Sequence, residues 1–150
     1  MKIQLISDTH TYPIFISEKA DLIVHAGDIG NGDIKHILSF VDTCKNKNKD
    51  YVLVLGNHDF YGRQTISNVY KELDKHNINY LTSGKEFNYQ GFTFVGGVFF
   101  TNFTLNALDE LDVDKNKLSA QHHITDFFEI LNDNKKFITP EDYVTLHALD

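Results

Sequence analysis

Short apolar runs alternate with polar, glycine-bearing breaks along the first half of the chain. Ile3 to Ile6 is one such run, ending in Ser-Asp-Thr-His10, and Asp21-Leu-Ile-Val-His25 is a second, ending in Ala-Gly-Asp28. Asp50-Tyr-Val-Leu-Val-Leu55 is a third, closed by Gly-Asn-His-Asp59. Each reads as a buried strand that runs into a loop. Between the second and third runs, Ile34, Ile37, Leu38 and Val41 fall at helical spacing, and after the third Ile66, Val69, Tyr70 and Leu73 do the same. Strand and helix in alternation predict an α/β fold with a parallel sheet flanked by helices. Asn79-Tyr-Leu81 predicts a further short strand. Phe87 to Val95 predicts a hairpin that turns at Gly91.

Beyond Gly97 the pattern weakens. Val98 to Phe103 is aromatic and predicts a strand followed by a loop, whereas Leu105 to Leu118 is acidic with scattered leucines and carries no clear period. Ile124 to Leu131 predicts a short helix. Thr139-Pro-Glu-Asp142 has the composition of a helix start: a threonine cap, proline in the first turn, and acids near the positive end of the dipole. A helix from Pro140 to the last residue would make about three turns.

Composition narrows the class. The 150 residues, 41% of them apolar, suit one domain with a core large enough to keep water from a site. The net charge is −7, and it is uneven: residues 1–104 hold 11 acids and 10 bases, residues 105–150 hold 10 acids and 4 bases. Such a balance speaks against nucleic acid as a partner, and Lys45-Asn-Lys-Asn-Lys49 reads as a solvated helix end. A single arginine, Arg63, argues against phosphate capture by guanidinium forks. One cysteine, Cys44, leaves no internal disulfide and fits a reducing compartment. No stretch resembles a signal peptide, and none reaches the roughly eighteen apolar residues of a membrane span. The expectation is a cytoplasmic protein with no membrane contact, no linker and no internal repeat.

The candidate chemistry lies at the strand ends. Strand one leads to Asp8 and His10, strand two to Asp28, and strand three to Asn57, His58 and Asp59. Ligands of open parallel sheets bind at the carboxyl ends of the strands, so these six residues should converge. Carboxylate, imidazole and amide oxygen together suit divalent manganese, iron or zinc. Gly27 and Gly56 allow sharp turns and a close backbone approach beside Asp28 and Asn57. Taken singly, Asp-x-His, Gly-Asp and Gly-Asn-His-Asp are ordinary turn sequences. Three of them in order, on three alternating strands, are far harder to obtain by chance. His25, inside an apolar run, reads as a satisfied core residue, and His36 and His76 as surface residues on helices.

Asp8-Thr-His10, Gly27-Asp28 and Gly56-Asn-His-Asp59 resemble the first three signature motifs of the calcineurin-like metallophosphoesterases. Gln90 to Phe103, Asp126-Phe127, Phe137 to Tyr143 and Leu146-His147 resemble later segments of small bacterial and phage members. The resemblance implies a layered sheet flanked by helices and a phosphoesterase with up to two divalent ions. It assigns Asp8 and His10 to one ion, Asp28 to a bridge between two, and Asn57 to the second. It implies that a metal-bound hydroxide attacks the phosphorus of a phosphate mono- or diester. His58 would act at the leaving oxygen, and Asp59 would orient His58.

The family completes its site with Thr-His-His and Gly-His-x-His, and this chain has no Gly-His-x-His. Gln121-His122-His123 and Val144-Thr-Leu-His147 come nearest to the former, but their surroundings do not read as the required strand. His122, His123 and His147 are therefore expected to be non-ligands. The expectation is a single domain over 1–150, C-terminally incomplete, with a metal-binding half over 1–104, an acidic connecting region over 105–150 and a weak second ion site. The alternative to an active enzyme is a truncated, catalytically impaired metal-binding remnant, or half of a split enzyme. Expected partners are a phosphate-ester substrate and a second copy or a complementing chain.

Overall fold

The computed structural model describes residues 1–149. Strands β1 (Ile3–Ile6), β2 (Leu22–Ala26) and β3 (Asp50–Val54) form a parallel sheet in the order β1-β2-β3. The register sets Ile6 beside His25 and His25 beside Leu53. All three strands therefore end at the same edge. Helix α1 (Ile34–Asn46) joins β2 to β3, and α2 (Ile66–Lys75) follows β3. Each helix begins where a side chain satisfies an orphan amide: Asp33 accepts from the Lys35 amide, and Thr65 accepts from the Asn68 amide. The alternation of apolar runs thus yields the α/β architecture that it predicts.

Residues in one register row share a sheet face. Ile23, His25, Tyr51 and Leu53 form the face under α1, where Ile37, Phe40, Val41 and Cys44 complete a fully buried core. Burying side chains such as Phe40 contributes about 1.5–3 kcal/mol each. The other face carries Ile3, Leu5, Leu22, Val24 and Val52. A hairpin of β5 (Glu86–Tyr89) and β6 (Phe92–Val95) lies against its β3 side, where Phe94 and Val95 border a hollow with Val24 and Val54. Its turn has positive φ at both Gln90 and Gly91, as the sequence pattern requires. Leu5, on the edge strand, stays 70% exposed.

The second half departs from the sequence reading in four places. Asn79 to Leu81 is not a full strand; it makes one parallel bridge, Leu53 to Tyr80. Val98 to Phe103 is not a strand, because Phe99 (φ 55°) and Phe103 (φ 64°) turn left-handed and break the pleat. Leu105 to Leu118, patternless in sequence, contains most of a 14-residue helix, α3 (Glu110–His123). Ile124 to Leu131 holds only one helical turn, α4 (Asp126–Glu129), before β7 (Ile130–Leu131) pairs with β4 (Gln64–Thr65). Helix α5 (Pro140–His147) starts where predicted. The Asp142 amide donates to the Thr139 hydroxyl at 3.2 Å, and the Thr139 amide donates to the Asp142 carboxylate at 2.8 Å. No helix of the described residues is long and apolar enough to cross a membrane.

Candidate metal centre

The loops after β1 and β2 continue the pairing of their strands. The Asp8 amide donates to the Gly27 carbonyl at 3.0 Å, and the His10 amide to the Asp28 carbonyl at 2.9 Å. To make these bonds and still aim side chains at one point, the chain adopts positive φ at Asp8 (52°), His10 (42°) and Asp28 (55°). Such conformations cost about 1–3 kcal/mol each in residues with a Cβ and persist only where the surroundings hold them. Gly27 itself has φ +96°. Gly56 is needed for space: a Cβ there would lie 2.0 Å from Oδ1 of Asp28. Strand three therefore presses its backbone directly against the carboxylate that strand two presents.

Asp8, His10 and Asp28 each place a ligand atom within 4.8 Å of the other two. Nε2 of His10 lies 3.9 Å from Oδ2 of Asp28. Tetrahedral ligands with bonds of about 2.1 Å stand about 3.4 Å apart, so shifts of under about 1 Å per atom would close this group around a cation. Among the described residues, neither Asp8 nor Asp28 forms an ion pair with a lysine or arginine. Two neighbouring carboxylates with no lysine or arginine paired to them repel each other, and a divalent cation relieves that repulsion. The donor set therefore fits a metal. It is the one such group of histidine, cysteine, aspartate and glutamate side chains among the described residues.

The third strand leads into a 3-10 turn, Asn57–Phe60. Its His58 amide donates to Oδ1 of Asp28 at 3.1 Å, which fixes the bridging candidate from above. The His58 ring stacks on Tyr61 at 4.3 Å, meets the edge of His10 at 4.7 Å, and sets Nδ1 3.4 Å from Oδ1 of Asn31. Asp59 is buried and accepts from two backbone amides, Gly30 at 2.8 Å and Gly56 at 3.0 Å. It staples the second loop to the third, while the polar neighbour of the His58 ring is Asn31. Burial pushes the Asp59 carboxyl above the usual carboxylate range, and the amides of Gly56 and Gly30 pull it back.

Asn57 reaches to a residue 69 positions away. Its Nδ2 donates to Oδ1 of Asp126 at 2.8 Å. The same oxygen accepts the Tyr61 hydroxyl at 2.5 Å, and Oδ2 accepts the Tyr143 hydroxyl at 2.5 Å. Burial, and then the bonded Asp126 carboxylate, hold both tyrosine hydroxyls far above their ordinary pKa. Sequence reasoning placed Asp126 only within a resembling segment and assigned it no role.

The other histidines stay apart. His122 and His123 are exposed at the end of α3, and Nδ1 of His123 donates to the Ser119 carbonyl. Nδ1 of His147 donates to the Phe100 carbonyl at 2.6 Å. His36 sits half-buried on α1, and His76 is exposed just past the end of α2. His25 is fully buried, with Nε2 at 3.1 Å from the Thr9 hydroxyl and Nδ1 without a hydrogen-bond partner. Burial pushes its pKa down to about 4, so it is neutral near pH 7. Cys44 is buried and unpaired, its thiol pushed up to about 12. The model of one protein family, the calcineurin-like phosphoesterases, matches residues 1–148. No curated protein and no solved structure matches the chain.

Proposed function

The chain belongs to the calcineurin-like phosphoesterase family, and on that premise we propose that it hydrolyses a phosphate mono- or diester with divalent cations. The observation that carries this reading is the convergence of Asp8, His10 and Asp28 at the strand ends. These three would hold the first ion, and Asp28 with the Asn57 amide oxygen would offer ligands to a second. Manganese, iron and zinc all suit such a donor set. When bound, the cations supply Lewis-acid neutralisation of phosphoryl charge and activation of water.

The remaining steps belong to the chain. His58 holds its ring between Tyr61 and His10, with Nδ1 toward Asn31. Nε2 is then the atom that carries a proton to the leaving oxygen. Asp59 keeps the loops that carry Asp28 and Asn57 in register through the amides of Gly30 and Gly56. Its role is positioning. His122, His123 and His147 lie outside the group of Asp8, His10 and Asp28, so nitrogen ligands for the second ion would come from elsewhere than these three. A buried, protonated Cys44 accords with a cytoplasmic protein.

The test is turnover of a generic aryl phosphate monoester and diester with Mn2+, Fe2+ or Zn2+. Activity should require the metal and vanish in Asp28→Asn and His58→Ala. Absence of turnover with every metal, in the chain alone, would sink the stand-alone enzyme. The second reading is then a non-catalytic module with one ion per chain. What favours it is that one ligand group, and no other, forms among the described residues. Metal analysis that finds two tightly held ions counts against it.

A further inference from the structure

Asp126 lies far from the three ligand loops in sequence, on the single turn of α4, yet it is buried and its carboxylate takes three donors. Two of them come from the 3-10 turn and the residue after it, Asn57 and Tyr61. The third is Tyr143 from α5. A carboxylate with three charge-assisted bonds is a rigid anchor, because each bond it accepts is about twice as strong as a neutral one.

The direction of these bonds has a consequence for Asn57. An asparagine side chain has a donating end and an accepting end. Asp126 accepts. The Tyr61 hydroxyl gives its single proton to Asp126, so toward Asn57, at 3.5 Å, it too can only accept. Both groups at that end demand the NH2 of Asn57, and the carbonyl oxygen is turned the other way. Tyr61 also stacks on the His58 ring, so the same carboxylate braces the surface against which His58 lies.

We propose that Asp126 is a positioning residue for the Asn57–His58 pair: its carboxylate selects the amide orientation that gives the Asn57 oxygen to a cation and, through Tyr61, sets the plane of the His58 ring. The proposal rests on the reading of Asn57 as a ligand. Asp126→Leu keeps the approximate size and removes both acceptor oxygens. With no acceptor left to hold its NH2, the Asn57 amide should lose its fixed orientation.

The experiment uses the full chain. In the metal-free protein, 1H–15N spectra should give Asn57 one side-chain amide proton that is shifted downfield and slow to exchange. Asp126→Leu should abolish that signature. Tyr143→Phe takes one donor from the same carboxylate without touching Asn57, and should keep it. A loss of stability common to both variants therefore cannot mimic the effect. In Mn2+ titrations, Asp126→Leu should weaken the Asn57-dependent ion by about 10–100-fold, and should add nothing in an Asn57→Ala background. An Asn57 signature unchanged in Asp126→Leu overturns the proposal. So does a loss of Mn2+ affinity that simply adds to that of Asn57→Ala. If Asn57→Ala leaves Mn2+ binding as it was, the ligand reading of Asn57 fails, and the amide spectra alone decide the role of Asp126.

Discussion

Up to Phe60, the candidate site is built by backbone; past Glu110, it is built by side chains. In the first region each candidate residue sits two to five positions beyond a strand end, and parallel register brings the ends together. Its loops are tied amide to carbonyl, or amide to carboxylate as at Asp59. The second region adds a two-residue strand to the molecule's sheets, and its helix α3 leaves Leu111 and Leu118 more than half exposed. It reaches the site through the side chains of Asp126 and Tyr143. The difference teaches that ligand identity and ligand orientation have separate origins here. On the proposed reading, the identity of the candidate ligands is local to three loops, whereas the orientation of Asn57 is set by a distant carboxylate.

The comparison breaks most sharply at Asp28. Asp28→Asn should weaken Mn2+ binding by more than the roughly 100-fold expected for the loss of an outer partner, as read by calorimetric titration, while the fold survives by circular dichroism. An equal loss from a residue beyond Glu110 would contradict the division. Acid should strike the first region next. His25 beneath the Thr9 loop has a folded pKa of about 4 against 6.5 when exposed. The unfolded chain therefore binds the proton first as pH falls. Stability present in full above about 6.5 should be lost between there and about 4, by about 3 kcal/mol. Urea midpoints at pH 7 and 4.5 measure it, and His25→Leu should remove that share of the slope.

Tyr143→Phe sharpens the comparison from the other side. It leaves a buried carboxylate one charge-assisted bond short, at a cost of about 2 kcal/mol in thermal or chemical unfolding. The smallest effect belongs to α3: Leu118→Ser, at a 58% exposed position, should change stability by about 0.5 kcal/mol or less. A larger change would mean that the exposed leucines of α3 contribute packing that their exposure does not reveal.

The first region was legible because apolar runs and helical spacing repeat the periods of real elements. Ile3–Ile6, the strands ending near His25 and Leu55, and the helices over Ile34 and Ile66 all emerged from them. Helix α3 did not, since Leu111, Val113 and Leu118 do not share a buried face. What could have found it is the cap: Asp109 accepts from the Asp112 amide, with Glu110 and Asp112 in the first turn. Val98 to Phe103 misled because aromatic content mimics a strand while left-handed Phe99 and Phe103 forbid one. The Asn57–Asp126 bond spans 69 residues, and no local pattern carries such a distance. The staple made by Asp59 was equally hidden, because its partners are backbone amides that every residue type shares.

The left-handed turn at Asp8 sets function against robustness. The Asp8 side chain occupies a conformation that glycine adopts without strain, beside a second carboxylate that repels it. Exchange for glycine would relieve both, against about 1 kcal/mol of extra freedom gained by the unfolded chain. A population screened only for folding would thus accept a glycine at this position, and one screened for metal binding would purge it. Where the two screens disagree along the chain, the residues they dispute would mark the site without any assay of its chemistry.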